Sequence, residues 1–210
     1  MRVLNKNRLM AVTGFLSALF SNLVFAHPGH DLSVSFMSGL LHPFSGLDHF
    51  LVIVLVGFWS AFVLKKIWLG PSVFMFGMCL GVLAGLVGIP MNFFEFGIAT
   101  SVIVIGLLLM IRNQYSPKAI LLLIGAFGIF HGFAHAQLLA DSSLAISLVI
   151  QDVAGLVLAT AALHLLGVLL VKLLKEKTTV IAKMTGFASV IYGWVLISQL
   201  SFALLGGASV

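Results

Sequence analysis

The sequence predicts an all-α, polytopic integral membrane protein with six transmembrane helices behind a cleaved signal peptide. Three observations carry this. Of the 210 residues, 61% are hydrophobic and only 8% are charged, with a mean hydropathy of +1.21, too few charges to coat a soluble domain. Apolar runs of roughly 20 residues recur along the chain, each long enough to cross about 30 Å of hydrocarbon. The cations collect before the first run and in the short connections between the others, as they do in membrane proteins. The partner this composition requires is the lipid bilayer. The net charge of +5 is divided among those short connections and the N-terminus, so it marks no nucleic-acid partner. The single cysteine, Cys79, sits in an apolar run, which excludes a disulfide framework and a cysteine-rich metal site.

The chain begins with a basic segment, Met1 to Arg8, followed by a short apolar stretch, Leu9 to Leu23, and then Val24-Phe25-Ala26. That is the pattern of a secretory signal peptide cut after Ala26. The expected organisation is therefore a signal peptide over 1–26 and one six-helix transmembrane domain over 27–210. Cleavage leaves His27-Pro28-Gly29-His30-Asp31 at the mature N-terminus. Its two imidazoles, carboxylate and free amine can capture a divalent metal; a plain polar tail is the competing reading.

The six expected spans are roughly Phe44–Leu64, Trp68–Gly88, Phe93–Ile111, Ala119–Leu139, Leu144–Val171 and Val180–Leu205. Pro43 suits a first helical position, where a missing N–H costs nothing, so the first span is expected to start there with His42 as its cap. Gly77, Gly81 and Gly85 form a small-residue stripe on span two, and Gly128 and Gly132 repeat it on span four; such stripes let helices approach closely. The eight cations beyond the leader are Lys65, Lys66, Arg112, Lys118, Lys172, Lys175, Lys177 and Lys183. All follow odd-numbered spans or open even-numbered ones, on one side of the bilayer, which the positive-inside rule makes cytoplasmic. The expected location is the bacterial inner (plasma) membrane, with both mature termini outside.

With that orientation, depth can be counted along each helix. Asp48 and His49 fall about 8 Å below the outer end of span one, while His135 and His131 fall about 6 and about 12 Å below the same surface on span four. Glu95 lies near the outer end of span three, and Asp152 about 11 Å into span five. His164 alone lies in the inner half. Ionisable groups at such depth are costly and are functional candidates by default. His131 and His135, four residues apart, share a helix face, and Asp48 can ligate an ion or orient the imidazole beside it. Imidazole with some carboxylate suits Ni²⁺, Co²⁺, Zn²⁺ or Cu²⁺ better than Mg²⁺ or Ca²⁺. The expected metal ligands are His42, Asp48, His49, His131 and His135. Glu95, Asp152 and His164 are candidates for the pathway or for supporting roles, and His27 and His30 for metal capture.

At these residues the chain resembles the HupE/UreJ family of membrane proteins, regarded as nickel (in some members cobalt) permeases tied to hydrogenase or urease. The shared pieces are His27-Pro28-Gly29-His30 and His42-Pro43-x-x-Gly46-x-Asp48-His49, then Pro90 with Glu95-x-x-Ile98-Ala99-x-Ser101-Val102. Phe130-His131-Gly132-x-Ala134-His135 and Leu158-Ala159-Thr160-Ala161-x-Leu163-His164-x-x-Gly167 follow. The spacing His42-x5-Asp48-His49 is also similar, with one residue more, to the signature of the separate NiCoT transporters. The family usually continues after the second histidine of span four with Gly and an acidic residue, whereas this chain has Ala136-Gln137-Leu138. The resemblance implies a transporter and not an enzyme, with Ni²⁺ or Co²⁺ as its substrate and no permanently bound cofactor. Three alternatives stay open: a membrane metallochaperone or sensor that binds metal without flux, a haem protein ligated by histidines of two helices, and a metal-dependent membrane enzyme. Against the last, His131-Gly132-Phe133-Ala134-His135 lacks the glutamate of His-Glu-x-x-His.

Overall fold

A computed structural model describes residues 34–111, 116–139 and 144–205, all within one compact unit, Ser33–Val210. The expected signal peptide, His27 and His30 lie outside the described residues. Among the described residues every regular element is helical: α1 (Phe36–Leu41), α2 (Leu47–Val63), α3 (Leu69–Leu86), α4 (Phe94–Met110), α5 (Pro117–Leu139), α6 (Ile146–Leu174) and α7 (Thr178–Leu205).

The start of this fold differs from the sequence expectation. Ser35 and Ser38 cap α1 reciprocally, each side chain accepting from the other's backbone N–H at 3.2 and 2.9 Å. The chain then tightens into a 3-10 turn over His42–Phe44 and bends by 82° before α2 begins. Pro43 lies in that turn, and the cap of α2 is Gly46, in extended conformation. His42 is therefore not the cap of the first long helix but the first residue of a break. A helix interrupted in this way frees backbone groups and opens space for side chains; within a bilayer that is tolerated only where protein surrounds it.

Past the break, α2 is buried on every side from Val52 to Ser60, as expected of a helix that is apolar all round. It touches α3, α4, α6 and α7. The most extensive contacts are organised as pairs, with α3 against α5, α4 against α7, and both α1 and α2 against α6. Small residues set the closeness of these pairs. A Cβ on Gly132 of α5 would strike the Met78 carbonyl of α3, and one on Gly57 of α2 would strike the His164 carbonyl of α6. The glycine stripe of α3 thus lies on α5, Gly81 against the Ile129 carbonyl. Dispersion and close backbone approach hold such pairs where lipid supplies no hydrophobic drive.

Large apolar side chains cover the outside, Leu122, Ile146, Leu173 and Phe202 among them, each more than two-thirds exposed. Water would not tolerate so continuous an apolar surface on a monomer, but lipid does. The helices α3 and α5 and the stretch Ile146–Leu205 are long and apolar enough to cross a membrane, and the bent pair α1–α2 makes a fourth candidate. The 60 residues of Ile146–Leu205 would extend about 90 Å as one rod, three times the hydrocarbon thickness. At Lys175 the backbone turns to φ 48° and ψ −115°, dividing the stretch into α6 and α7. This is an integral membrane protein built of helices.

Candidate metal site

The break between α1 and α2 is where the histidines meet. His42 comes from the 3-10 turn, His49 from the first turn of α2, and His131 and His135 from the C-terminal half of α5. Ligand atoms of His42, His49 and His135 all lie within 4.8 Å of one another. The rings of His42 and His135 are 4.3 Å apart between centroids, those of His49 and His135 5.5 Å, and those of His49 and His131 4.8 Å. Four of the five expected ligands therefore form one imidazole cluster, and the fifth, Asp48, is bonded to it.

The hydrogen bonds fix which nitrogen of each ring is free. A carboxylate or carbonyl oxygen only accepts, so the ring nitrogen facing it must carry the proton. Asp48 Oδ1 accepts from His49 Nδ1 at 3.1 Å and from the His49 backbone N–H at 2.9 Å. The Phe127 carbonyl accepts from His131 Nδ1 at 2.9 Å, and the Thr160 carbonyl from His164 Nδ1 at the same distance. In all three rings Nε2 is left with its lone pair, and all three Nε2 atoms are buried without a hydrogen-bond partner. An orphaned acceptor in an apolar interior costs about 1–3 kcal/mol. Metal-ligating histidines have the same arrangement, one nitrogen held by a carboxylate or carbonyl and the other presented to the ion.

The other expected residues divide. His164, 1% exposed, stands beyond Phe74, whose ring is 5.4 Å from it and 5.3 Å from His131. It is not in the cluster but one aromatic ring removed. Glu95, at the start of α4, lines a cavity that also reaches Asp48 and His49. Asp152 is elsewhere, its Oδ1 accepting from the Ser38 hydroxyl at 2.6 Å, so that it ties α6 to α1. Two residues at the site, Phe74 and Gln199, are not singled out by the sequence. Gln199 lies on α7 in the same cavity as Glu95; it stands beside Ser198 and close to Ser201, and its amide among those hydroxyls is its only signal in the sequence. Phe74 had none, being one apolar residue among many.

A bundle of apolar helices holding ligand-poised imidazoles at a helix break defines a class: helical membrane proteins with a polar, metal-capable site inside the bundle. Comparison with known proteins carries this further. Residues 15–196 match the family model described as HupE / UreJ protein, and the chain belongs to that family. A curated relative, "Protein HupE" of Rhizobium leguminosarum bv. viciae, is 35% identical over 189 residues, covering 89% of this chain and 96% of the relative. No solved structure matches.

Proposed function

We propose that the protein is a divalent transition-metal permease, importing nickel and in some settings cobalt for the maturation of metalloenzymes or cobalamin. The observation that carries the reading is the imidazole cluster at the α1–α2 break. Nitrogens bound to one ion stand roughly 3–4 Å apart when each is about 2.1 Å from the metal. The observed limit of 4.8 Å among His42, His49 and His135 is wider than that by less than the reach of a side-chain adjustment. Neutral imidazole favours Ni²⁺, Co²⁺, Zn²⁺ and Cu²⁺ over the hard, oxygen-seeking ions; the family resemblance favours nickel and cobalt among them. The ion is held by His42, His49, His131 and His135, with Asp48 orienting His49, and passes inward past Phe74 by way of His164. His27 and His30 gather metal at the outer end.

The same reading takes the helices α2 to α7 as six crossings. The shortest, α2 and α4, have 17 residues each, at the lower limit of about 17 for a span. The cytoplasmic side is that of Lys65, Lys118 and Lys172, in the plasma membrane of a bacterium with both mature termini outside. Single cysteines at Ser142 and Ser116, in a Cys79→Ala background, test this. An impermeant thiol reagent should label Ser142→Cys in intact cells and Ser116→Cys only after permeabilisation; the opposite pattern inverts the topology.

The function is tested by uptake of Ni²⁺ and Co²⁺ into cells lacking their own carriers for both, with membrane levels checked by immunoblot. Wild-type protein should raise uptake well above an empty vector, and His135→Ala should return it to background. Saturable metal binding by the purified protein without any flux would instead favour a metallochaperone or sensor.

A further inference from the structure

A three-histidine site accepts an ion only after it has lost at least three of its waters. Divalent nickel and cobalt arrive in water with six. Some part of the protein has to meet the hydrated form, and the imidazole cluster is too tight to do it. Six waters at about 30 Å³ each occupy roughly 180 Å³, whereas the cluster's ligand atoms lie within 4.8 Å of one another.

Beside the cluster, between α2, α4, α5 and α7, is a cavity of about 390 Å³. Its ionisable and amide lining consists of Asp48, His49, Glu95 and Gln199, drawn from three helices, amid apolar residues such as Ile98 and Leu196. Asp48 presents its Oδ1 to His49 and is about a quarter exposed, which leaves Oδ2 to accept from something else. A second cavity of about 540 Å³, lined by Asn92, Gln137 and Phe133 among others, shares Phe94 and Glu95 with the first. Glu95 thus lines both. Carboxylates inside a membrane protein are tolerated where they line a wet cavity, and their oxygens, like the Gln199 carbonyl, accept hydrogen bonds from metal-bound water.

We propose that the 390 Å³ cavity is an outer-sphere waiting site for the fully hydrated divalent ion, held by Asp48, Glu95 and Gln199 through its waters, from which it is stripped into the imidazole cluster. Gln199 is a positioning residue here, touching the ion's water and not the ion. The two carboxylates supply the attraction for a cation, and the neutral amide adds hydrogen bonding without deepening the charge well, so the ion can leave. The proposal rests on the permease reading but makes a claim of its own, that this cavity binds a hydrated cation without help from the histidines.

The probe that separates the two is hexaamminecobalt(III), which has the size and octahedral shape of a hydrated divalent ion but does not exchange its ligands. In a Cys79→Ala background, Ala203→Cys, which lines the cavity and is none of the three holding residues, should react with a small water-soluble thiol reagent. Hexaamminecobalt(III) at about ten times its half-protecting concentration should slow that reaction about tenfold, by simple mass action. The protection should survive His135→Ala and weaken in Glu95→Gln. The same complex should compete with Ni²⁺ for uptake by the wild type without itself being taken up. Should Ala203→Cys fail to accumulate, Leu200→Cys reports on the same cavity. A cysteine that never reacts, or reacts at the same rate with the complex present while the protein still transports Ni²⁺, overturns the waiting site and leaves the permease intact. Protection with no Ni²⁺ transport by the wild type does the reverse.

Discussion

His131 and His164 are the same residue in the same local setting. Each lies in a long helix, each is 1% exposed, and each donates Nδ1–H to the carbonyl four residues earlier at 2.9 Å. Each has a buried, unpartnered Nε2 and each meets the ring of Phe74. They differ in company. His131 faces the imidazole of His49 at 4.8 Å, and through it the remainder of the cluster. Among the described residues His164 has no imidazole against it. Helix geometry alone sets the tautomer and frees the lone pair; only the tertiary fold decides whether that lone pair is one ligand among several or stands alone.

The largest expected effect comes from removing the member that has company. His131→Ala and His49→Ala should each raise the half-saturating metal concentration by about 100-fold or more, beyond the 10–100-fold that loss of an orienting partner alone costs. The double variant should be little worse than either, because groups sharing one site are not additive. Two independent effects that multiply in the double variant would mean that the rings do not share an ion.

His164 comes next, with a different kind of effect. A lone imidazole beyond the cluster can speed passage but cannot set the affinity of a site it does not belong to. His164→Ala should therefore lower the maximal uptake rate several-fold and leave the half-saturating concentration within about twofold, the split expected when an interaction outside the binding step is lost. A rise in half-saturation matching that of His131→Ala would make the two histidines equivalent and erase the distinction drawn between them.

Much of this was legible in the sequence, and the reasons are particular. Apolar length and the placement of lysines give helices and their order because the bilayer restricts spanning segments to a narrow menu. Counting 1.5 Å per residue brought His49, His131 and His135 to similar depth, and the structure has them in ring contact. At His42–Phe44 the local pattern predicts a helix start, and the structure has a break. Pro43 serves either purpose, and what decides between them is the packing of α1 on α6, a contact across more than a hundred residues that no local pattern encodes. Asp152 misled for a related reason. Depth counting fixes the height of a residue along a helix but not its bearing around the axis, so it makes Asp152 a pathway candidate, whereas the fold turns its carboxylate to Ser38.

Asp152 supplies the smallest expected effect and the sharpest limit on the comparison. Its carboxylate, unlike the Nε2 atoms, has a protein partner. The Ser38 hydroxyl has one proton and two acceptors within reach, Asp152 Oδ1 at 2.6 Å and the Ser35 carbonyl at 2.7 Å, and a carboxylate is the stronger acceptor. Asp48 also has a protein partner, but that partner is a ring of the cluster; the partner of Asp152 is a serine of α1, so this bond belongs to the fastening of α1 on α6 and not to transport. Interhelical hydrogen bonds in membranes couple by about 0.6 kcal/mol on average and about 1.7 at most. A double-mutant cycle of Ser38→Ala and Asp152→Ala, read by thermal unfolding in detergent, should fall in that range. Uptake by both single variants, corrected for membrane level, should stay within about threefold of wild type, since a loss of that size moves an equilibrium by no more than about 20-fold and α1 is held by its packing as well. Asp152→Asn should be milder still, because the amide oxygen can accept from the same hydroxyl. Were Asp152→Ala to accumulate normally and raise the half-saturating concentration as far as His131→Ala, a carboxylate bonded to the scaffold would be part of the metal's route, and the hydrogen-bond partner would no longer separate the site from its scaffold.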